Sequence, residues 1–190
     1  MTWRTARSLD VALAEINAHA PKRSKLSDGS IGDTAHSART SDHNPNKAGV
    51  VRARDFTHDP HGGLDCNVLA NLLAERLRGN HPAVATGAYV IWKRRIISRD
   101  RIREGWRPYT GSNPHTKHLH LSVTTVAGSL GYDSTAPWNL FPTPVPPLPQ
   151  RPANVRAALK SLREQLKTAG PIQAKRLRDA IAELRKIGKK

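Results

Sequence analysis

Over Lys117–Val123 polar and apolar residues alternate with the period of a β-strand, placing Leu119, Leu121 and Val123 on one face and His118, His120 and Ser122 on the other. The apolar face is expected to pack on a core. Residues two apart in a strand stand roughly 6.5–7 Å apart, so the opposite face presents two neighbouring imidazoles. Gly49–Phe56 reads as a second strand, with Val51, Ala53 and Asp55 on one face and Arg52 and Arg54 on the other. Tyr89–Trp92 and Arg95–Ser98 read as a hairpin closed by Lys93-Arg94. Helical spacing appears four times. Ser8 is placed to cap a helix running to about His19, with Leu9, Ala12, Leu13 and Ile16 on its stripe and Pro21 closing it. Asp65 is placed to cap a second, with Leu69, Leu72, Leu73 and Leu77 facing a core and Gly79 after it. Two more, at about 154–168 and 171–188, are divided by Ala169-Gly170-Pro171 and predict a helical hairpin.

Between these elements lie two long polar stretches. Lys22–Asn46 is rich in Ser, Asp, Gly and Asn, and a loop this long in a compact domain is functional or disordered. Asp100–Ser112 reads as a second loop. At Pro142–Pro152 the composition shifts to a polyproline segment, expected to be stiff and extended. The fold class expected is α+β, a small antiparallel sheet with flanking helices, followed by the helical hairpin.

Composition narrows the chemistry. The 190 residues, 37% apolar and 24% charged, have the balance of a globular chain. They contain no run of about 18 apolar residues, and the N-terminus lacks the apolar stretch of a secretory signal. The expectation is synthesis in a cytoplasm, with release by some other agent if the target lies outside. The single cysteine, Cys66, excludes an internal disulfide and a thiolate metal cage, and it reads as a small, partly buried residue. Any metal must therefore be held by His and carboxylate. The net charge of +16 calls for a polyanionic partner: nucleic acid, an anionic cell-wall polymer or a membrane surface. Residues 151–190 carry 12 Lys+Arg against 3 Asp+Glu, so +9 of that charge lies in the tail.

Candidate ligands come from three elements: His43 in the long loop, Asp55 on the Gly49–Phe56 strand and His120 on the histidine strand. A carboxylate among apolar neighbours is costly unless it is paired or bound to metal, which singles out Asp55. A catalytic zinc takes three such ligands and leaves a fourth position for water. His118 is placed to act as base toward that water, and His115 lies just before it.

Taken together, Ser41-x-His43, Gly49-x-x-x-Ala53-x-Asp55 and His115-x-x-His118-x-His120 resemble the zinc D-Ala-D-Ala carboxypeptidase and endopeptidase group. These are the M15-type peptidases, which share a fold with the LAS peptidoglycan hydrolases, and the likeness is greatest to the peptidase domains of phage endolysins. The resemblance spans about residues 24–125. It implies His43, Asp55 and His120 as zinc ligands, with Asp59 and His58 as alternatives for the carboxylate position. It implies His118 as general base, since Lys117 occupies the position where relatives carry an acidic base, and His115 as helper or substitute. Arg39 and Ser41 match positions that contact substrate. Eleven residues separate His43 from Asp55, more than the family's usual spacing, so Asn44–Ala48 reads as an insertion.

The expected organisation is a zinc peptidase domain over 1–141, a Pro-rich linker over 142–152 and a basic hairpin over 153–190 that holds an anionic cell wall. The expected reaction is hydrolysis of peptide bonds in the peptidoglycan stem or crosslink. Two competing readings are a nucleic-acid-binding protein with a structural metal, and an inactive virion-associated protein of peptidase fold. Structural metal sites favour four ligands with cysteine among them, which argues against the first.

Overall fold

The computed structural model describes residues 2–32, 40–141 and 155–187; Arg39 and the Pro-rich segment lie outside them. The chain divides into two compact units, Met1–Leu140 and Phe141–Lys190. No helix among the described residues is long and apolar enough to cross a membrane.

The first unit is α+β. Strands β1 (Arg4–Thr5) and β2 (Val50–Val51) form a short parallel pair. The main sheet is antiparallel and has five strands in the order β3 (Ala53–Thr57), β7 (His118–Ser122), β4 (Tyr89–Trp92), β5 (Arg95–Ser98) and β6 (Arg107–Pro108). Its register decides which residues share a face. Phe56 lies opposite Leu119, and Val90 opposite both Leu121 and Ile97. All five are fully buried. Helix α2 (Cys66–Arg78) packs against β4 and buries Leu69, Leu73 and Leu77, while Leu72 is only half-buried. The Asp65 side chain caps it, accepting the Asn67 backbone N–H at 2.8 Å. Cys66 is fully buried, and burial pushes its thiol up to about 12, leaving it an inert core residue.

Four expectations need correcting. The stretch Gly49–Phe56 is two strands in two different sheets, broken at Arg52, whose backbone N–H donates to Asp42 O at 3.1 Å. The core side of β3 is the Phe56 face, so Asp55 stands on the histidine face and not on an apolar one. Arg54, beside Phe56, reaches Asp10 at 3.1 Å.

Helix α1 (Arg7–His19) begins after Ala6 with no side-chain cap of its own. Ser8 lies inside the helix, buried, with its hydroxyl donating to Tyr132 O at 2.7 Å. A distant carboxylate meets the free end instead: Asp133 accepts the Arg7 N–H at 3.3 Å and pairs with Arg4 at 2.7 Å. Lastly, the Asp100–Ser112 stretch contains a 3-10 segment over Arg99–Glu104 and the edge strand β6. Neither has an apolar period, and β6 exists because it pairs with β5.

The β4–β5 hairpin turns at Lys93 and Arg94, both left-handed with φ of 46° and 57°, the geometry a two-residue turn between twisted strands requires. Trp138, 1% exposed, donates from its indole to Ser8 O, and the Glu15 carboxylate accepts the N–H groups of Trp138, Asn139 and Leu140. These contacts tie the end of the unit to α1.

The second unit contains α3 (Val155–Thr168) and α4 (Pro171–Ile187). Leu162, Leu177, Ile181 and Leu184 form its buried core, flanked by Ala158, Leu159, Leu166 and Ala180. Arg156, Lys160, Arg163, Lys175, Arg176 and Arg178 are among its exposed cations.

Candidate metal centre

Antiparallel register sets Asp55 directly opposite His120, and Thr57 opposite His118. The loop supplies the third group. Gly29 bridges to Asp55, its carbonyl accepting the Asp55 N–H at 2.7 Å, so residues 29–30 run along the sheet edge. Ser30 O lies 2.6 Å from His43 Nδ1, and Ser41 Oγ accepts the His43 N–H at 3.2 Å. Together these contacts aim the His43 ring at Asp55.

The three candidate ligands converge tightly. His43 Nε2 lies 3.1 Å from His120 Nδ1 and 3.4 Å from Asp55 Oδ1, and His120 Nδ1 lies 3.1 Å from Asp55 Oδ1. Neighbouring groups orient the rings. A backbone carbonyl can only accept, so the hydrogen of His43 is on Nδ1 and its lone pair is on Nε2. His120 Nε2 lies 2.9 Å from Ser122 Oγ, a hydrogen bond that holds the ring with Nδ1 facing Asp55. Two imidazole nitrogens and a carboxylate oxygen, each able to bind a cation through a lone pair, thus meet at one point. An ion held at about 2.0–2.1 Å by imidazole and carboxylate sets tetrahedral ligands about 3.3–3.4 Å apart, close to the separations found here. His43, Asp55 and His120 can therefore hold a metal ion.

Electrostatics express the same convergence. Burial opposes ionisation of Asp55, yet His120 and His43 override it and hold the carboxyl well below the usual carboxylate range. Burial likewise opposes the imidazolium of His43, but Asp55 and the Ser30 carbonyl raise its pKa. A proton is drawn to the acceptors that would share a metal.

His115 and His118 stand on the other side of Asp55. His118 Nε2 is 3.6 Å from Asp55 Oδ2, and the rings of His115 and His118 meet edge-on with centroids 5.2 Å apart. Burial first, and then the neighbouring His120, bring His115 down to about 4; burial lowers His118 as well. Near neutral pH both are uncharged imidazoles and can accept a proton.

A cleft of about 200 Å³ opens over the centre, lined among others by Thr40, Ser41, Tyr89, Tyr109, Asn113 and His115. Ser41 is thus at the site, and Arg39 lies outside the described residues. The alternative ligands are engaged elsewhere: Asp59 accepts the N–H groups of Ser24 and Gly62, and His58 Nδ1 accepts that of Cys66. Sequence reasoning assigned no role to Ser30, Tyr89, Tyr109 or Asn113, and it placed Ser122 on the histidine face without a task. Tyr89 stacks on His120 with centroids 5.3 Å apart. Asn113 had one local signal, its position before Pro114, and Tyr89 had none.

Comparison with protein-family profiles, with curated proteins and with solved structures found no match to this chain.

Proposed function

We propose that the chain is a zinc-dependent peptidase of the M15/LAS type that hydrolyses peptide bonds in the stem or crosslink of bacterial peptidoglycan. The observation that carries this reading is the meeting of three potential ligand atoms from His43, Asp55 and His120 beside an open cleft. Three protein ligands with an accessible side are what a catalytic zinc needs, whereas a structural site is closed by four. Two imidazoles and a carboxylate suit zinc among the common divalent ions. Zinc bound there supplies Lewis acidity to the scissile carbonyl and makes water more acidic.

The chain's own residues do the rest. His118, neutral and half-buried beside Asp55, takes a proton from the attacking water and passes it to the leaving amine, with His115 as the alternative carrier. The C–O bond forms, the C–N bond breaks, and the amine departs protonated. Ser41 and Arg39 are the substrate contacts in this reading, joined by Tyr109 and Asn113 of the cleft wall. The basic α3–α4 hairpin is assigned to an anionic wall polymer, where it concentrates the enzyme on its substrate.

Mass spectrometry of material released from purified peptidoglycan tests the reading. Expected are new amino termini within stem peptides, lost after chelation and restored by zinc. Unchanged peptidoglycan in the presence of zinc-loaded protein would overturn it.

A further inference from the structure

Asp55 uses one oxygen toward His43 and His120, and the other faces a second pair of imidazoles. Asp55, His115 and His118 each offer an atom within 4.8 Å of the other two. Their tautomers follow from Asn113. Its Oδ1 accepts the His115 backbone N–H at 2.9 Å, so the other end of the amide, Nδ2, is the one that faces His118 Nε2 at 3.5 Å. His118 Nε2 stands 3.6 Å from Asp55 Oδ2, and the amide group facing it can only donate. His115 donates from Nδ1 to Asn113 O at 2.8 Å, which leaves its lone pair on Nε2. Burial to 6% exposure and a left-handed backbone (φ 50°) hold His115 against the cleft. A second set of three potential ligands thus flanks the first and shares its carboxylate.

We propose that a second divalent ion of the zinc or cobalt class binds here, bridged to the first through Asp55, and that it binds more weakly and inhibits. The weakness has two causes. His118 Nε2 stands 3.6 Å from Asp55 Oδ2, farther than the 3.1 and 3.4 Å at which His120 and His43 meet Oδ1, so its side chain must draw in. Two dications on one carboxylate also repel each other. Two imidazoles with one carboxylate oxygen exclude calcium and magnesium as natural occupants, since those ions take oxygen ligands. Inhibition rests on the peptidase reading above, because the second ion occupies the lone pairs of His115 and His118 that would accept the proton.

The test is titration of the metal-free full chain with zinc alone, followed by calorimetry and native mass spectrometry, and repeated with cobalt under electron paramagnetic resonance. Two ions are expected, the second on the order of 100-fold weaker or more, as repulsion at the roughly 4 Å spacing of two-metal sites requires. The second cobalt should attenuate the signal of the first by spin coupling. His115→Gln and His118→Gln, each checked for an unchanged melting temperature, should bind one ion only. Hydrolysis by the wild type should fall over the zinc range that fills the second site. One ion per chain up to millimolar zinc overturns the inference and leaves the peptidase reading standing. A second ion kept with equal affinity in both variants overturns it too. If no ion binds at all, both readings fall.

Discussion

Ser122 Oγ lies 2.9 Å from His120 Nε2, so a serine two residues along the same strand holds the ring with Nδ1 toward Asp55. The hydroxyl is fully buried and lies on the same face of β7 as the ring it orients. Partners of this kind typically carry 10–100-fold in metal affinity. Ser122→Ala should therefore weaken zinc binding by about 10-fold or more, measured by competition with a chromophoric chelator, while the far-ultraviolet circular dichroism stays unchanged. Equal affinity in variant and wild type would mean that His120 is oriented by its packing on Tyr89 instead.

Removing a ligand is more severe than removing its support. His43→Ala, Asp55→Ala and His120→Ala should each lower zinc content from about one ion per chain to a small fraction, read by elemental analysis after dialysis. His118→Ala should keep the tightly bound ion and lose on the order of 100-fold or more in rate, the usual cost of deleting a general base. If His115→Ala is the more damaged of the two with its metal intact, the proton passes through His115.

The loop that carries Gly29 and Ser30 is anchored by a buried ion pair. Arg23, 4% exposed, meets Asp28 at 2.5 Å, and Asp28 also accepts from Thr57 N at 2.8 Å. Burial opposes the Asp28 carboxylate, but the hydrogen bonds from Arg23 and Thr57 prevail and hold its pKa below the ordinary value. A carboxyl lowered by folding contributes stability that is full above its unfolded pKa and is lost as pH falls through the folded one. Urea unfolding should therefore show weakening below about pH 4. Asp28→Asn should remove that part of the pH dependence and cost about 3–5 kcal/mol at neutral pH, because it leaves the buried Arg23 guanidinium without its carboxylate. A cost under 1 kcal/mol would show that the pair does not anchor the loop.

The basic hairpin has its own small core, so its contribution is separable by truncation. A chain ending at Phe141 should cleave a small soluble stem peptide at the rate of the whole protein and lyse intact walls more slowly. The difference should shrink as salt rises toward half molar, where the Debye length is about 4 Å. Equal wall binding by the two chains at low salt would remove the hairpin from wall recognition.

Much of the framework was legible in local pattern. The alternation at 117–123 separated a leucine face from a histidine face, and β7 shows both, because strand side chains alternate whatever the neighbouring strand may be. Asp65 and Gly79 bracket α2, and Gly170-Pro171 divides the hairpin, for equally local reasons of capping and missing N–H groups. Only the tertiary structure decided what depends on partners distant in the chain. Asp55 looked like an acid on an apolar face, and its true face emerged from its pairing with His120, 65 residues away. His43 reaches the site because Gly29 pairs with β3 and Ser30 holds its ring, and neither contact leaves a period in the sequence. The ring orientations that make the centre able to hold a metal were set in the same way, by Ser30 and Ser122. A residue's type is carried by the chain, but the nitrogen an imidazole presents depends on the group that folding places against its other side.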